Sequence, residues 1–177
     1  IDYAIAKILM MHGIILTYGG IPMIYAGDEI GTLNDYTYEQ NDDHVNDNRW
    51  VNRPMHNWDV VSELKNISDS PSAIIYQGIK HMIRLRKERD IFQDLNDVKI
   101  HGCPNQHIFV FQRTNGNENI WVLSNFNEVT EKLDIGWLLS IGIHAGNNSI
   151  DLLTGNSFEI IHNELPLKPF QQLWITN

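Results

Sequence analysis

The sequence predicts an α+β chain: a helix, a short buried strand and a second helix, followed by an antiparallel β-sandwich. Residues 1–18 and 71–87 space their apolar side chains at three and four, the helical period. The run Ile21–Ala26 is apolar on both faces and bounded by glycine, which suits a buried strand of a parallel sheet. From about residue 97 the period changes to alternation, the pattern of half-buried strands. The expected division is therefore 1–92, which includes a long loop over 28–70, and 97–177, an all-β domain.

The first helix presents Ile5, Ile8, Leu9, His12, Ile15 and Leu16 on one face and stops at Gly19-Gly20. The strand 21–26 then runs into Gly27-Asp28-Glu29, a polar rim of the kind on which α/β barrels carry their chemistry. The loop 28–70 is rich in Asp, Asn and Glu, and it holds Tyr36, Tyr38, Trp50 and Trp58. About forty residues is too long for a mere connection, so an ordered functional loop is expected. Ser70-Pro71 reads as an N-cap and first turn, with Ile75, Ile79, Met82 and Ile83 as the apolar stripe of the helix that follows. Arg84, Arg86, Lys87 and Arg89 crowd its far end, where cations meet the negative end of the helix dipole. Strands are predicted at 98–101, 107–113, 119–126, 129–135, 150–153, 157–161 and 172–175, with a hairpin turn at Asn115-Gly116-Asn117 and no intervening helix.

Bulk properties narrow the function. The net charge is −9 and the pI is near 5.2, which excludes a basic face for nucleic acid. No apolar run approaches the roughly 20 residues of a membrane span. Residues 1–18 lack the basic start and cleavage site of a signal peptide, and a cytoplasmic setting is favoured over a secreted one. The first residue, Ile1, leads to the expectation of a segment of a longer protein. The single cysteine, Cys103, excludes an internal disulfide and a cysteine-based zinc site; it is expected to be a small, partly buried thiol. Sequons at Asn66 and Asn147 are matches of a frequent pattern and carry no weight.

The 28–70 loop gathers Asp28, Glu29, Asp35, Glu39, Asp42, Asp43 and Asp47. Paired carboxylates serve glycosyl transfer, but acids in polar loops also cap turns, and Asp28 is placed to cap one. The spacing after Asp43 fails the EF-hand pattern, and His44 and His56 lack the company a zinc site needs, so neither metal nor cofactor is expected. Arg49-Trp50 and Arg53-Pro54 are the sharper signal. A guanidinium binds a pair of hydroxyls or a carboxylate in a fork, and an indole offers a face to a sugar ring. The same pairs also suit a structural anchor, and spacing alone leaves both readings open.

The motif GIPMIYAGDEIG at 20–31 resembles the final barrel-strand motif of the α-amylase family of glycoside hydrolases. TLNDYTYEQ at 32–40, NDNRWVNRP at 46–54 and IYQGIKHMIRLRK at 75–87 are similar to its amylosucrase branch, as is LPLKPFQQLWIT at 165–176. The resemblance implies the last helix-strand-helix section of a (β/α)8 barrel followed by a β-sandwich. It also implies retaining transfer of glucose from sucrose to an α-glucan through a covalent glucosyl-enzyme. The family's three catalytic carboxylates have no counterpart in this sequence, so no catalytic residue is assigned and the chain alone is expected to be inactive. Arg49 matches a donor-site arginine and is the substrate-binding candidate. Asp28, Glu29, Asp47, Trp50 and Arg53 are expected to support the loop. Fragments of a sucrose hydrolase or phosphorylase are alternatives within the family. A carbohydrate-binding module on 97–177 is an alternative of another class, with Trp121 and Trp174 in its core and Trp137 at its surface. An unpaired strand at 21–26 would also expose backbone and apolar side chains, which predicts self-association.

Overall fold

The computed structural model describes residues 2–64, 69–93, 98–144 and 149–177, and both sequon asparagines lie outside these. The chain forms two compact units, 24–77 and a larger one made of 1–23 with 78–177. These units run differently from the expected 1–92 and 97–177: residues 1–23 and those from 78 onward group with the strands.

In the larger unit, α1 (Asp2–Tyr18) and the later part of α3 (Pro71–Lys87) accompany seven strands. These are β1 (Val98–His101), β2 (Ile108–Thr114), β3 (Asn119–Asn125), β4 (Glu131–Asp134), β5 (Ile150–Asp151), β6 (Glu164–Leu167) and β7 (Gln172–Thr176). All pairings are antiparallel, in a five-stranded sheet ordered β1-β2-β3-β7-β5 and a ribbon of β4 with β6. The β2–β3 hairpin turns where expected. Asn115 Oδ1 accepts from Asn117 N (3.1 Å) and Glu118 N (2.9 Å), and Gly116 supplies a φ of 85°.

One face of the five-stranded sheet packs on the ribbon. Val110, Trp121, Leu123 and Leu173 meet Leu133, Leu165 and Leu167, together with Leu138 of a helix that sequence reasoning missed, α4 (Ile135–Ser140). Asp134 caps α4 through a bond from Trp137 N (3.0 Å). Trp137, expected at the surface, is half-buried and packs in part against this core. Trp121 and Trp174 are buried, as their alternating strands imply. The expected strand at 157–161 is irregular: Ile161 makes an isolated bridge to Glu164, and Phe158 and Ile160 pack against the core without joining a ladder. Residues 150–153 give just two strand residues, because Asp151 Oδ1 takes both Trp174 N (2.9 Å) and Leu153 N (3.2 Å) and turns the chain.

The other sheet face receives α1. The buried residues of α1 are Ile5, Met10, His12, Gly13, Leu16 and Thr17, whereas Ile15 is exposed. The buried face is thus turned from the apolar stripe toward small and hydrogen-bonding side chains. Gln172 Nε2 donates to Met10 O (3.3 Å) and Ser124 Oγ (2.8 Å), and its Oε1 accepts from Trp174 Nε1 (2.8 Å). Helix and amide approach so closely that a Cβ on Gly13 would lie 1.7 Å from Gln172 Oε1.

The expected strand at 21–26 is absent. Residues 21–25 join no ladder, and Ile21, Met23 and Tyr25 are 86%, 83% and 58% exposed. A parallel strand needs neighbours for its N–H and C=O groups on both sides, and among the described residues the sheets are antiparallel and built from other segments.

Gly13→Ala is expected to lower stability by about 1–3 kcal/mol, because the added methyl displaces Gln172 from its three bonds. The readout is the midpoint of urea unfolding. Gly102→Ala, whose added methyl would meet nothing within 4 Å, should leave that midpoint in place.

Candidate functional site

The unit 24–77 is built from short turns in series. Residues 28–30, 36–40 and 48–52 each form a 3-10 turn, followed by α2 (Trp58–Glu63) and the start of α3. The 28–70 segment is therefore ordered where described, and its acids explain how.

Gly27 and Gly31 flank the first turn in left-handed conformation, with φ of 105° and 64°. Gly27 O accepts from Ile30 N (3.2 Å) and Thr32 N (2.9 Å), and Gly27 N donates to Glu29 Oε2 (2.7 Å). Glu29 is thus the acid that ties this turn. Asp28 makes no capping bond and stands exposed, contrary to its expected role. Asp35 caps the second turn, accepting from Thr37 N (2.8 Å) and Thr37 Oγ1 (2.6 Å), and the Thr37 hydroxyl is the main cause of its lowered pKa. Asp35 N also donates to Val51 O (2.9 Å), joining the second turn to the third.

The third turn carries Arg49. Asp47 accepts from Arg49 N (3.0 Å), opening the turn. The same carboxylate holds the guanidinium: Arg49 Nε lies 2.8 Å from Oδ1 and 3.0 Å from Oδ2, and Nη2 lies 2.7 Å from Oδ2. Arg49 Nη1 makes no bond among the described residues, and the side chain remains 69% exposed. The Arg49 hydrogen bonds pull the Asp47 pKa down to about 2, with a further contribution from the Arg53 charge. Trp50 stacks one face on His44 at 3.8 Å between centroids and 14° between planes.

Arg49 and Arg53 share a cleft of about 450 Å3 with Tyr25, Gly27, Asp28 and Asn34. The structure thus brings Asp28, Arg49 and Arg53 to one opening, while Glu29, Asp47 and Trp50 act on the loop. Asp28 is the one carboxylate among the lining residues. Double displacement at a sugar carbon uses two carboxyl groups about 5–5.5 Å apart, and the lining of this cleft holds one. Among the described residues no three His, Cys, Asp or Glu side chains gather as a metal site, and no helix is long and apolar enough to cross a membrane. Sequence reasoning missed the Asp47–Arg49 pair. Its signal was the Asp-x-Arg spacing, which lets one aspartate cap a turn and meet the side chain two residues on.

No family model matches this chain. Over 172 residues, 96% of its length, it is 26% identical to glucosylglycerate phosphorylase of Escherichia coli (strain K12). It spans 28% of that protein. Its structure superposes on AmyP in complex with maltose with a TM-score of 0.71 and 15% identity, covering 99% of this chain and 35% of that one. Bacillus licheniformis trehalose-6-phosphate hydrolase gives 0.63 at 17% identity, and trehalulose synthase MutB from Pseudomonas mesoacidophila MX-45 gives 0.59 at 15%. Each of these covers 97% of this chain and 38% of the other. The fold is shared with these proteins. It is an α+β arrangement with antiparallel sheets that corresponds to about a third of each longer chain.

Because the Asp47 pKa is depressed, its pairing with Arg49 is fully present above the ordinary value of 3.8 and is lost as pH falls through about 2. Carbon-detected NMR of the Asp47 carboxyl should show a midpoint near the lower value. Arg49→Ala should return it toward the ordinary carboxylate range.

Proposed function

We propose that this chain is part of an α-amylase-family enzyme that moves a glucosyl unit from an α-glucoside to phosphate. The observation that carries this reading is the 26% identity to a glucosylglycerate phosphorylase along 96% of the chain. The donor would be glucosylglycerate. Phosphate would take the glucosyl group to give glucose 1-phosphate, and glycerate would leave with the proton that completes its hydroxyl. Retention would come from two displacements through a covalent glucosyl-enzyme, on carboxylates supplied outside this chain.

In this reading the 24–77 cleft is a wall of the donor pocket. Asp47 holds the Nε–Nη2 edge of the Arg49 guanidinium and leaves Nη1 for a sugar hydroxyl or the glycerate carboxylate. Arg53 supplies a second cation, which suits an anionic aglycone. Asp28 would accept from a hydroxyl at the rim.

A second reading is favoured by the NDNRWVNRP motif at 46–54: transfer of glucose from sucrose to an α-glucan, with fructose released. The barrel section over 1–92, the β-sandwich over 97–177 and association through the exposed 21–26 segment belong to the same proposal about the parent protein.

The parent protein is assayed with glucosylglycerate plus phosphate, and separately with sucrose. Glucose 1-phosphate from the first supports phosphorolysis; fructose with lengthening α-glucan from the second supports the alternative; absence of both overturns the two readings. Arg49→Ala is expected to raise KM by ~10-fold or more, the loss of a charged hydrogen bond of about 1.5–3 kcal/mol. Arg49→Lys should not restore it, since an ammonium cannot be forked by Asp47. The 177-residue chain by itself should release no fructose from sucrose, and turnover by it would show that it carries its own catalytic carboxylates.

A further inference from the structure

We propose that the larger unit carries a second ligand site, a cleft formed by the β5 turn, the 157–161 segment and β6, and that it takes a neutral saccharide of one or two rings. The cleft has a volume of about 370 Å3, within the range of small-ligand pockets. It shares no residue with the 24–77 cleft and does not depend on the reaction assigned to the parent.

The composition of its walls selects the ligand. Phe158, half-buried against the core, forms an apolar side with Leu165 and Leu173. Around it stand Thr130, Ser157, Glu159, Lys168 and Gln171. The side chains of Thr130, Ser157, Glu159 and Lys168 make no hydrogen bond among the described residues. Gln171 Oε1 accepts from Lys168 N (2.8 Å), which fixes the amide and leaves its N–H groups to donate. A pyranose matches this lining: its C–H face lies on an aromatic ring and its hydroxyls both donate and accept at the margin.

Charge excludes the alternatives. Asp151 lies in the wall with both oxygens engaged, Oδ1 by Trp174 N and Leu153 N and Oδ2 by Thr154 Oγ1 (2.9 Å). Asp151 and Glu159 together outweigh Lys168, so a phosphate or carboxylate ligand meets a net repulsive field. A divalent cation would find Glu159 as the one uncommitted carboxylate, beside the neutral hydroxyls of Thr130 and Ser157, a weaker oxygen set than such an ion takes. An uncharged polyhydroxylated ring remains.

The test is a maltose titration of the 15N-labelled 177-residue chain. Shifts at Ser157, Glu159, Lys168 and Gln171 are expected, with a Kd of about 1–10 mM for so few bonds. Glu159→Ala and Gln171→Ala, both at the cleft margin, should each weaken binding about fivefold or more, as a lost hydrogen bond of ~1 kcal/mol requires. Phe158→Leu should weaken it further while filling the core. Arg49→Ala should leave it unchanged, which separates this site from the other cleft. Shifts confined to residues 24–77, no shift up to about 50 mM maltose, or wild-type affinity in Glu159→Ala and Gln171→Ala would each overturn the proposal.

Discussion

Two arginines close the carboxyl end of α1, and the larger unit depends on that closure. The last carbonyls of a helix have no partner within it, and here Leu16 and Thr17 are buried. Arg113, fully buried on β2, sends Nη1 to Tyr18 O (3.2 Å) and Thr17 O (3.5 Å) and Nη2 to Ile91 O (3.0 Å). Arg86 on α3 reaches Leu16 O and, at 3.2 Å, Gly20 O. One cluster thus fastens α1, α3, the 90–92 turn and the sheet. Burial, and then the neighbouring Arg113 charge, lowers the Arg86 pKa. The arrangement is stable because the carbonyl oxygens at the negative end of a helix compensate charges that would otherwise be costly to bury.

The same cluster revises the meaning of the basic run 84–89. Arg86 closes a different helix, Arg89 pairs with Glu118 across to β3's hairpin, and Arg84 approaches His81 (3.0 Å) and Glu88 (3.9 Å). Two of the four charges that look like a dipole-matched helix end, Arg86 and Arg89, are spent on tertiary contacts. Gln172 plays the corresponding part at the middle of α1, and Gly13 makes room for it.

What could be read from sequence was what neighbours in sequence decide. The helices at 2–18 and 71–87, the hairpin at 115–117 and the strands β1, β2, β3 and β7 follow from period and turn chemistry. The failures share a different cause. Residues 21–26 have the composition of a buried strand, yet strand formation requires partners that no local pattern supplies. α4 is six residues with Gly136 inside it, too short for periodicity to show, and Asp134 was its only mark. β6 contains Pro166, which a two-stranded ribbon tolerates where a central strand would not. Of the residues singled out in the sequence, Asp28, Arg49 and Arg53 line one cleft, although Asp28 and Arg53 were expected only to support the loop. The division of labour was hidden, because Glu29 rather than Asp28 secures the first turn, and Asp47 answers Arg49 within the chain.

The Asp47–Arg49 fork is exposed to solvent, and its strength is therefore set partly by the medium. Counterions screen such pairs over a Debye length of about 8 Å at physiological ionic strength and about 3 Å at 1 M salt. The buried guanidinium of Arg113 is shielded from that influence, whereas the fork is not. Dissolved salt would consequently loosen the arginine of the 24–77 cleft while leaving the buried arginine of the larger unit unaltered. Ionic strength acts here as a control on orientation separate from any control on folding.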